Sequence, residues 1–102
     1  MAWNSYLKGF EAYLKLERSL STNTWLSYQA DVTKLESFVQ DHFGITSPIP
    51  VQQHHLQAFL KELHGLGISG KSQARIISGL RSFFAYLVEE GNLSDNPALY
   101  LD

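Results

Sequence analysis

The sequence predicts a small all-α protein in which four helices form two helical hairpins. Apolar residues recur at helical spacing in four separate stretches of the chain. Short segments rich in glycine, proline or hydroxyl-bearing residues separate these stretches, and no extended alternating pattern of a half-buried strand competes with them. Because four helices with short connections can share one core, we expect a compact four-helix bundle.

The composition indicates one folded domain. Of the 102 residues, 44% are apolar and 18% are charged, which supports a packed core over residues 1–102. The sequence contains no cysteine, so disulfides, thiolate metal ligands and a thiol nucleophile are excluded. No apolar run reaches the roughly 20 residues of a membrane span, and the start of the chain lacks the pattern of a signal peptide. We therefore expect a cytoplasmic protein without a membrane partner.

The first hairpin comes from the first half of the chain. Apolar residues spaced by four, three and four positions predict a helix over residues 3–17. The hydroxyl and amide side chains of residues 21–24 are suited to capping a second helix. A second apolar stripe follows and predicts that this helix ends within residues 41–44.

The second hairpin follows a connection over residues 45–50. Its two prolines lack backbone N–H groups and disfavour helical geometry in the preceding residues. The apolar pattern then predicts a third helix from Val51, closed by Gly65 and Gly67. The fourth helix starts near residue 71 or 72 and ends at Gly91.

The run from Gly65 to Ser72 matches the spacing of both a Walker A loop and a dinucleotide-binding loop. Both motifs require a strand that leads into the loop, whereas the residues before Gly65 have helical spacing. We therefore reject nucleotide binding and predict a glycine-rich turn. The helix start that follows, with Gly70 and Lys71, is still suited to one DNA backbone phosphate.

The sequence offers no arrangement typical of an enzyme or a metal site. His54 and His55 are adjacent, so on a helix they point about 100° apart, whereas a zinc-binding pair needs a spacing such as i and i+4. We expect one of them to lie against the core and the other to face water. No nucleophile motif or acid–base pair is evident, so we predict no catalytic residue, no metal and no cofactor.

Polar side chains gather at two helix starts, where exposed backbone N–H groups favour a polyanion. The net charge of −2 gives no global attraction to nucleic acid, so such a partner has to be held by a local patch. The first patch runs from Arg18 to Thr24 and carries more hydroxyl and amide groups than capping requires. The second patch is the front half of the fourth helix, which carries basic residues and no acidic residue.

The fourth helix separates its polar and apolar residues onto different faces. At about 100° per residue, Lys71, Arg75, Ser78 and Ser82 fall along one stripe, and the apolar residues fall along another. Arg81 lies beside the polar stripe and either widens it or reaches a carboxylate of another helix. Such a face is compatible with insertion into the major groove, and a merely solvated charged face has the same pattern.

Both patches resemble a known family. The stretch from Tyr13 to Thr24, with Tyr28 and Asp31-Val32 after it, is similar to the opening of the core-binding domain of tyrosine recombinases of the XerC and XerD type. The second half of that domain is similar in four places here: Ser72 to Arg75, Ser78 to Phe84, Glu90-Gly91 and Asn96 to Ala98. Both matches occur in order, and the resemblance covers nearly the whole chain. One departure is Gly79, where the family often has a better helix former.

The resemblance implies a SAM-like four-helix domain that binds double-stranded DNA without cleaving it. In this family the domain acts as a clamp on one face of the duplex, and a separate catalytic domain encloses the other face and exchanges the strands. The catalytic domain would lie outside residues 1–102, and the parent protein would be a tyrosine recombinase. The DNA-binding residues that the resemblance and the two patches predict are Arg18, Ser21, Thr22, Asn23, Thr24, Tyr28, Lys71, Ser72, Gln73, Arg75, Ser78 and Arg81.

Partners other than DNA also follow from the resemblance. It implies that residues 3–14 contact other recombinase protomers on DNA, and we expect the isolated domain to be a monomer. The main alternative is a helical protein-interaction domain without DNA binding. In that interpretation exposed aromatic residues such as Trp3, Trp25 or Tyr100 dock a partner, and the basic residues only aid solubility.

Overall fold

Residues 2–101 contain four α-helices, in the order predicted from the sequence. The computed structural model describes residues 2–101, so Met1 and Asp102, the ends of the predicted domain, lie outside the described residues. The helices are α1 (Ala2–Ala12), α2 (Thr22–Phe43), α3 (Gln53–Gly65) and α4 (Gly70–Glu89). No strand forms within residues 2–101, and the all-α prediction is confirmed.

The first predicted helix is only partly an α-helix. We predicted one helix over residues 3–17, but the chain changes to a π-helical turn over Tyr13–Glu17. The wider turn lets two consecutive side chains, Tyr13 and Leu14, both pack into the core. After the turn, the N–H of Leu20 donates to the carbonyl oxygen of Leu14 at 3.1 Å. Ser19, just before Leu20, adopts a left-handed backbone conformation with φ of 52°.

Capping side chains set the starts of α2 and α4. Ser21 Oγ accepts a hydrogen bond from the N–H of Thr24 at 3.3 Å, which confirms the predicted cap of α2. Ser69 Oγ accepts from the N–H of Ser72 at 3.2 Å in the same way. Because Ser69 is the cap, α4 begins at Gly70, slightly before the predicted start.

The start of α3 involves one of the two adjacent histidines. The N–H of Gln52 donates to Nδ1 of His55 at 2.9 Å, and α3 begins at Gln53 rather than at the predicted Val51. His55 is buried and His54 is exposed, which confirms the predicted division between core and water. Burial lowers the pKa of the His55 imidazole, and the neighbouring His54 lowers it further. The hydrogen bond from Gln52 also requires an unprotonated Nδ1.

One hydrophobic core connects all four helices. Trp3 stacks on Phe83, with ring centroids 6.1 Å apart, and Phe10 meets Phe83 edge-on at 5.2 Å. Trp3 is only 1% exposed, so the expectation that it is an exposed docking residue is wrong. Leu14 is buried as well, and the surface of α1 is formed by residues such as Lys8.

The helices α2 and α4 form the most extensive helix contact, and they meet at Gly79. A Cβ atom at this position would lie 3.0 Å from Cδ1 of Tyr28 and 3.4 Å from Oδ2 of Asp31. The missing side chain lets the Tyr28 ring lie directly against α4. This contact accounts for a poor helix former inside a helix, and it places the first half of α2 beside the polar face of α4.

After α4 the chain packs back against the helix. Ala98 and Leu101 are buried in the core. The side-chain amide of Asn96 donates to the carbonyl oxygen of Arg81 at 3.1 Å, and its Oδ1 accepts from the N–H of Ala98 at 2.9 Å. Residues 96–101, which we call the return segment, are therefore an integral part of the fold.

Candidate nucleic-acid interface

The two predicted polar patches meet around Tyr28. A cleft of about 220 Å³ is lined by Asn23, Thr24, Ser27, Tyr28 and Arg75. A second cleft of about 430 Å³ also includes Tyr28, and its other polar lining residues are Arg18, Ser78, Arg81, Ser82 and Asn96. We call the surface formed by these two clefts the Tyr28 surface. Residues from the start of α2 and from the polar face of α4 thus converge on one side of the molecule.

A buried carboxylate holds Arg75 in this surface. Nη1 and Nη2 of Arg75 donate to Oδ2 and Oδ1 of Asp31 at 2.5 and 3.2 Å, which makes a bidentate ion pair. The Asp31 side chain is 1% exposed, whereas the Arg75 side chain is 44% exposed. Burial raises the pKa of the Asp31 carboxyl, and the hydrogen bonds from Arg75 offset only part of this effect. The sequence predicted Arg75 as a DNA-binding residue of a helix face without acidic residues, and its ion pair with Asp31 of α2 was not predicted.

Arg81 is bonded within the fold. Its Nε donates to the carbonyl oxygen of Ala98 at 3.2 Å, and its Nη2 donates to the carbonyl oxygen of Leu101. Of the two alternatives for Arg81, a bond to a carboxylate of another helix is wrong, because backbone carbonyls of the return segment accept its hydrogen bonds instead. Arg81 is also less exposed than Arg75.

The first turn of α4 divides its predicted residues between two faces. Lys71 is exposed, lies one turn before Arg75, and forms no ion pair within residues 2–101. Gln73 instead lines a separate cleft with Gln57 and Lys61 of α3. The structure therefore does not bring Gln73 to the Tyr28 surface.

The start of α2 supplies hydroxyl and amide groups. Ser21 Oγ, besides capping the helix, lies 2.9 Å from the hydroxyl of Thr24, so these two hydroxyls are engaged with each other. Thr22 and Asn23 are exposed beside them. Arg18 is exposed as well and lines the larger cleft. Neutral donors thus share one surface with three arginines, Arg18, Arg75 and the internally bonded Arg81.

Sequence reasoning missed the contribution of Asp31. The residue lies at helical spacing between Tyr28 and Leu35, on the apolar stripe of α2. A carboxylate on a buried face needs a partner, since an unpaired buried charge is strongly unfavourable. That position signals a basic neighbour, although it does not identify Arg75. Ser82, predicted on the polar stripe, is half-buried.

Other chemistries gain no support from the geometry. The residues before Gly65 form α3, so the strand that a Walker A loop requires does not precede it. Within the described part of the chain, no group of three or more metal-ligating side chains could hold a metal ion. None of the helices between residues 2 and 101 has the length and apolar character needed to cross a bilayer.

The aromatic residues of the alternative interpretation are mostly covered. Besides the buried Trp3, Trp25 is half-buried, and the ammonium of Lys15 lies 4.3 Å from its ring centre. Tyr100, at 78% exposed, is the most accessible of the three. Of the three aromatic residues named in that interpretation, only Tyr100 is exposed.

Comparison with known proteins decides the classification. The family described as phage integrase, N-terminal SAM-like domain, matches residues 7–91. The chain belongs to this family. The resemblance identified from the sequence is thereby confirmed.

The relatives of this SAM-like domain are tyrosine recombinases. It is 32% identical over 99 residues to tyrosine recombinase XerD of Listeria monocytogenes serotype 4b, covering 97% of this chain and 33% of that protein. It is 37% identical over 90 residues to tyrosine recombinase XerC of Xylella fastidiosa, covering 87% and 30%. It is 35% identical over 96 residues to tyrosine recombinase XerD of Chlorobaculum tepidum, covering 94% and 31%.

The chain spans about a third of the length of the curated relatives it matches, and it corresponds to their N-terminal third. No solved structure gives a significant match to it. The SAM-like assignment therefore rests on the family match and on the relatives, and the helical fold agrees with it.

Proposed function

We propose that this SAM-like domain is the DNA-binding clamp of a site-specific tyrosine recombinase or integrase. It holds double-stranded DNA on the Tyr28 surface, and a separate C-terminal catalytic domain breaks and rejoins the strands. One observation carries the proposal: the start of α2 and the basic face of α4 share the clefts around Tyr28. The relatives named tyrosine recombinases supply the class of reaction. We further propose that it acts on DNA in the cytoplasm.

The proposed contacts are the residues whose polar groups are accessible on or beside the Tyr28 surface. They are Arg18, Thr22, Asn23, Thr24, Tyr28, Lys71, Arg75 and Ser78. Ser21 and Ser72 lie at helix starts, where backbone N–H groups and the helix dipole favour phosphate. Gln73 and Arg81 are left out, because Gln73 faces α3 and Arg81 donates to the return segment.

The charge balance predicts how strongly the isolated domain binds. It carries 10 acidic and 8 basic residues, so long-range attraction to DNA is weak and close contacts supply the affinity. We expect weak binding by the domain alone, as a monomer, and much tighter binding when a second domain of the same chain encloses the duplex. Other protomers would join it on DNA.

Two exposed lysines provide a matched test of the surface. Lys71 lies beside the Tyr28 surface, and Lys61 lies on α3 in a different cleft. We expect Lys71→Ala to weaken binding to labelled duplex DNA and to lower the salt slope by about one unit per lost phosphate contact. Lys61→Ala makes the same change in net charge and should leave both values near those of the unmodified chain. Equal losses in both variants, measured by fluorescence anisotropy, would contradict the assigned surface.

Amide chemical shifts locate the surface independently of any substitution. On titration with duplex DNA at low salt, we expect the largest changes within residues 18–28 and 71–82. Changes centred on α3 instead would rule out the Tyr28 surface. Binding of a protein partner through Tyr100 without any response to DNA would favour the alternative interpretation.

A further inference from the structure

We propose that Asp31 is a positioning residue that holds the Arg75 guanidinium in the orientation required to contact a DNA phosphate. The inference rests on the proposed DNA-binding function and assigns a role to a residue that does not itself touch DNA. The Asp31 carboxylate lies beneath a surface that is proposed to bind a polyanion, and its negative charge alone would repel DNA.

The geometry of the ion pair fixes Arg75 on one side only. Two of the five guanidinium N–H groups are directed to the carboxylate oxygens of Asp31, at 2.5 and 3.2 Å. With 44% of its side chain exposed, Arg75 keeps its remaining donors accessible from the cleft that it shares with Asn23 and Thr24. The planar fork is therefore oriented from below and open toward solvent.

The carboxylate of Asp31 is enclosed between α2 and α4. The Asp31 side chain is 1% exposed. Its Oδ2 atom lies 3.4 Å from the position that a Cβ atom would occupy at Gly79. The ring of Tyr28 packs against the same part of α4. A carboxylate confined between two helices can fix an arginine, whereas an exposed one would move with it.

Stability alone does not account for this pair. Replacing a buried ion pair by apolar side chains of similar volume is often neutral or stabilising, so its presence is weak evidence for a stabilising role. Burial raises the pKa of the Asp31 carboxyl, which means that keeping it charged is unfavourable in the folded chain. An arginine that is already ordered before DNA arrives loses less conformational freedom on binding, and that gain is specific to function.

The sign of one substitution separates positioning from simple electrostatics. Asp31→Asn removes a negative charge from beneath the surface, so a purely electrostatic effect would tighten DNA binding. Positioning predicts the opposite, because an amide holds the guanidinium less firmly. We expect the affinity of Asp31→Asn for labelled duplex DNA to fall roughly two- to tenfold at constant salt. Tighter or unchanged binding would overturn the proposal.

A double-mutant cycle with Arg75→Ala excludes a general structural effect. If Asp31 acts only through Arg75, Asp31→Asn lowers DNA affinity when Arg75 is present and has no further effect in the Arg75→Ala background. The same loss in both backgrounds would show that Asp31 merely supports the fold, and would overturn the proposal. Thermal unfolding of each variant, recorded in parallel, reports how much of each chain is folded.

Arg75→Lys tests the same idea if Asp31→Asn does not fold. The substitution keeps the positive charge at a half-exposed position and removes the planar fork that Asp31 holds. Positioning predicts that Arg75→Lys loses most of the affinity that Arg75→Ala loses, and affinity close to that of the unmodified chain would overturn it. Failure of the DNA-binding function itself is distinguishable, because the unmodified chain and Lys71→Ala would then show no difference.

Discussion

Arg75 and Arg81 lie six residues apart on α4, and the fold uses their guanidinium groups differently. Arg75 is paired with a buried carboxylate and remains open to a cleft. Arg81 donates to backbone carbonyls of the return segment and is partly buried. One arginine is therefore anchored and still accessible, and the other holds two parts of the chain together.

The difference shows that a basic residue on a polar helix face has no fixed role. Arg75 lies on the polar stripe of α4 and Arg81 lies beside it, and their roles depend on what packs against each of them. At Arg75 the neighbour is α2, which supplies a side-chain carboxylate. At Arg81 the neighbour is an irregular segment outside any helix or sheet, whose carbonyl oxygens can still accept from a side chain.

The largest effect on stability is expected when the Arg75 side chain is removed. Arg75→Ala leaves the Asp31 carboxylate buried without a partner, so we expect the free energy of unfolding to fall by about 2 kcal/mol. The double variant with Asp31→Asn should recover most of this loss, because it removes the buried charge. Thermal or urea denaturation measures both, and a single variant as stable as the unmodified chain would contradict the role of the pair.

This loss should depend on pH with a defined sign. Burial raises the pKa of Asp31 in the folded chain above its ordinary value, so folding favours the protonated carboxyl. The protonated Asp31 carboxyl therefore makes its full contribution to stability at low pH. That contribution is lost as the pH rises through the pKa of Asp31 in the folded chain. The stability difference between Arg75→Ala and the double variant should therefore shrink on acidification. A difference that grows on acidification would contradict this assignment.

A smaller effect is expected at Arg81. Arg81→Ala removes the hydrogen bonds to Ala98 and Leu101 and should lower the free energy of unfolding by about 1 kcal/mol. Limited proteolysis should cut the return segment faster, while DNA affinity stays within about twofold, because no phosphate contact is lost. Arg18→Ala is the matched control, with the opposite pattern of weaker DNA binding and unchanged proteolysis. A strong loss of DNA affinity in Arg81→Ala would place Arg81 back in the interface.

The smallest effect on stability is expected when Asn96 of the return segment is replaced. Asn96→Ala removes the bonds to the Arg81 carbonyl and to the Ala98 N–H, and we expect it to cost roughly 0.5–1 kcal/mol. Because Asn96 and Arg81 hold the same segment, the double variant should lose less than the sum of the two single losses. Strict additivity in chemical denaturation would show that the two residues act independently.

The fold followed from the sequence where periodicity and capping agreed. The apolar stripe of α2 and the hydroxyl cap at Ser21 both depend on nearby residues, so a local pattern contains them. The π-helical turn at Tyr13–Glu17 was not predictable in this way, since it depends on how two consecutive side chains meet the core. The observed starts of α3 and α4 differ from the predicted starts by one or two residues, because Gln52 and Ser69 precede the first helical residues.

The candidate site was predictable only in part. Phase along α4 predicts that Lys71 and Arg75 share one face, because that relation is internal to one helix. The partners of Arg75 and Arg81 are 44 and 17–20 residues away in sequence, so only tertiary packing brings them together. A charged residue at the buried position of Asp31 was the one local signal of such a contact.

The bare backbone at Gly79 also determines a distance. Since the Tyr28 ring rests on it, the first turns of α2 stand at a set separation from the row of α4 that bears Arg75. Two donor rows at a set separation match some spacings of backbone phosphates better than others. If the Tyr28 surface binds DNA as proposed, a bulkier residue at position 79 would push these rows apart and change which duplex geometry they fit.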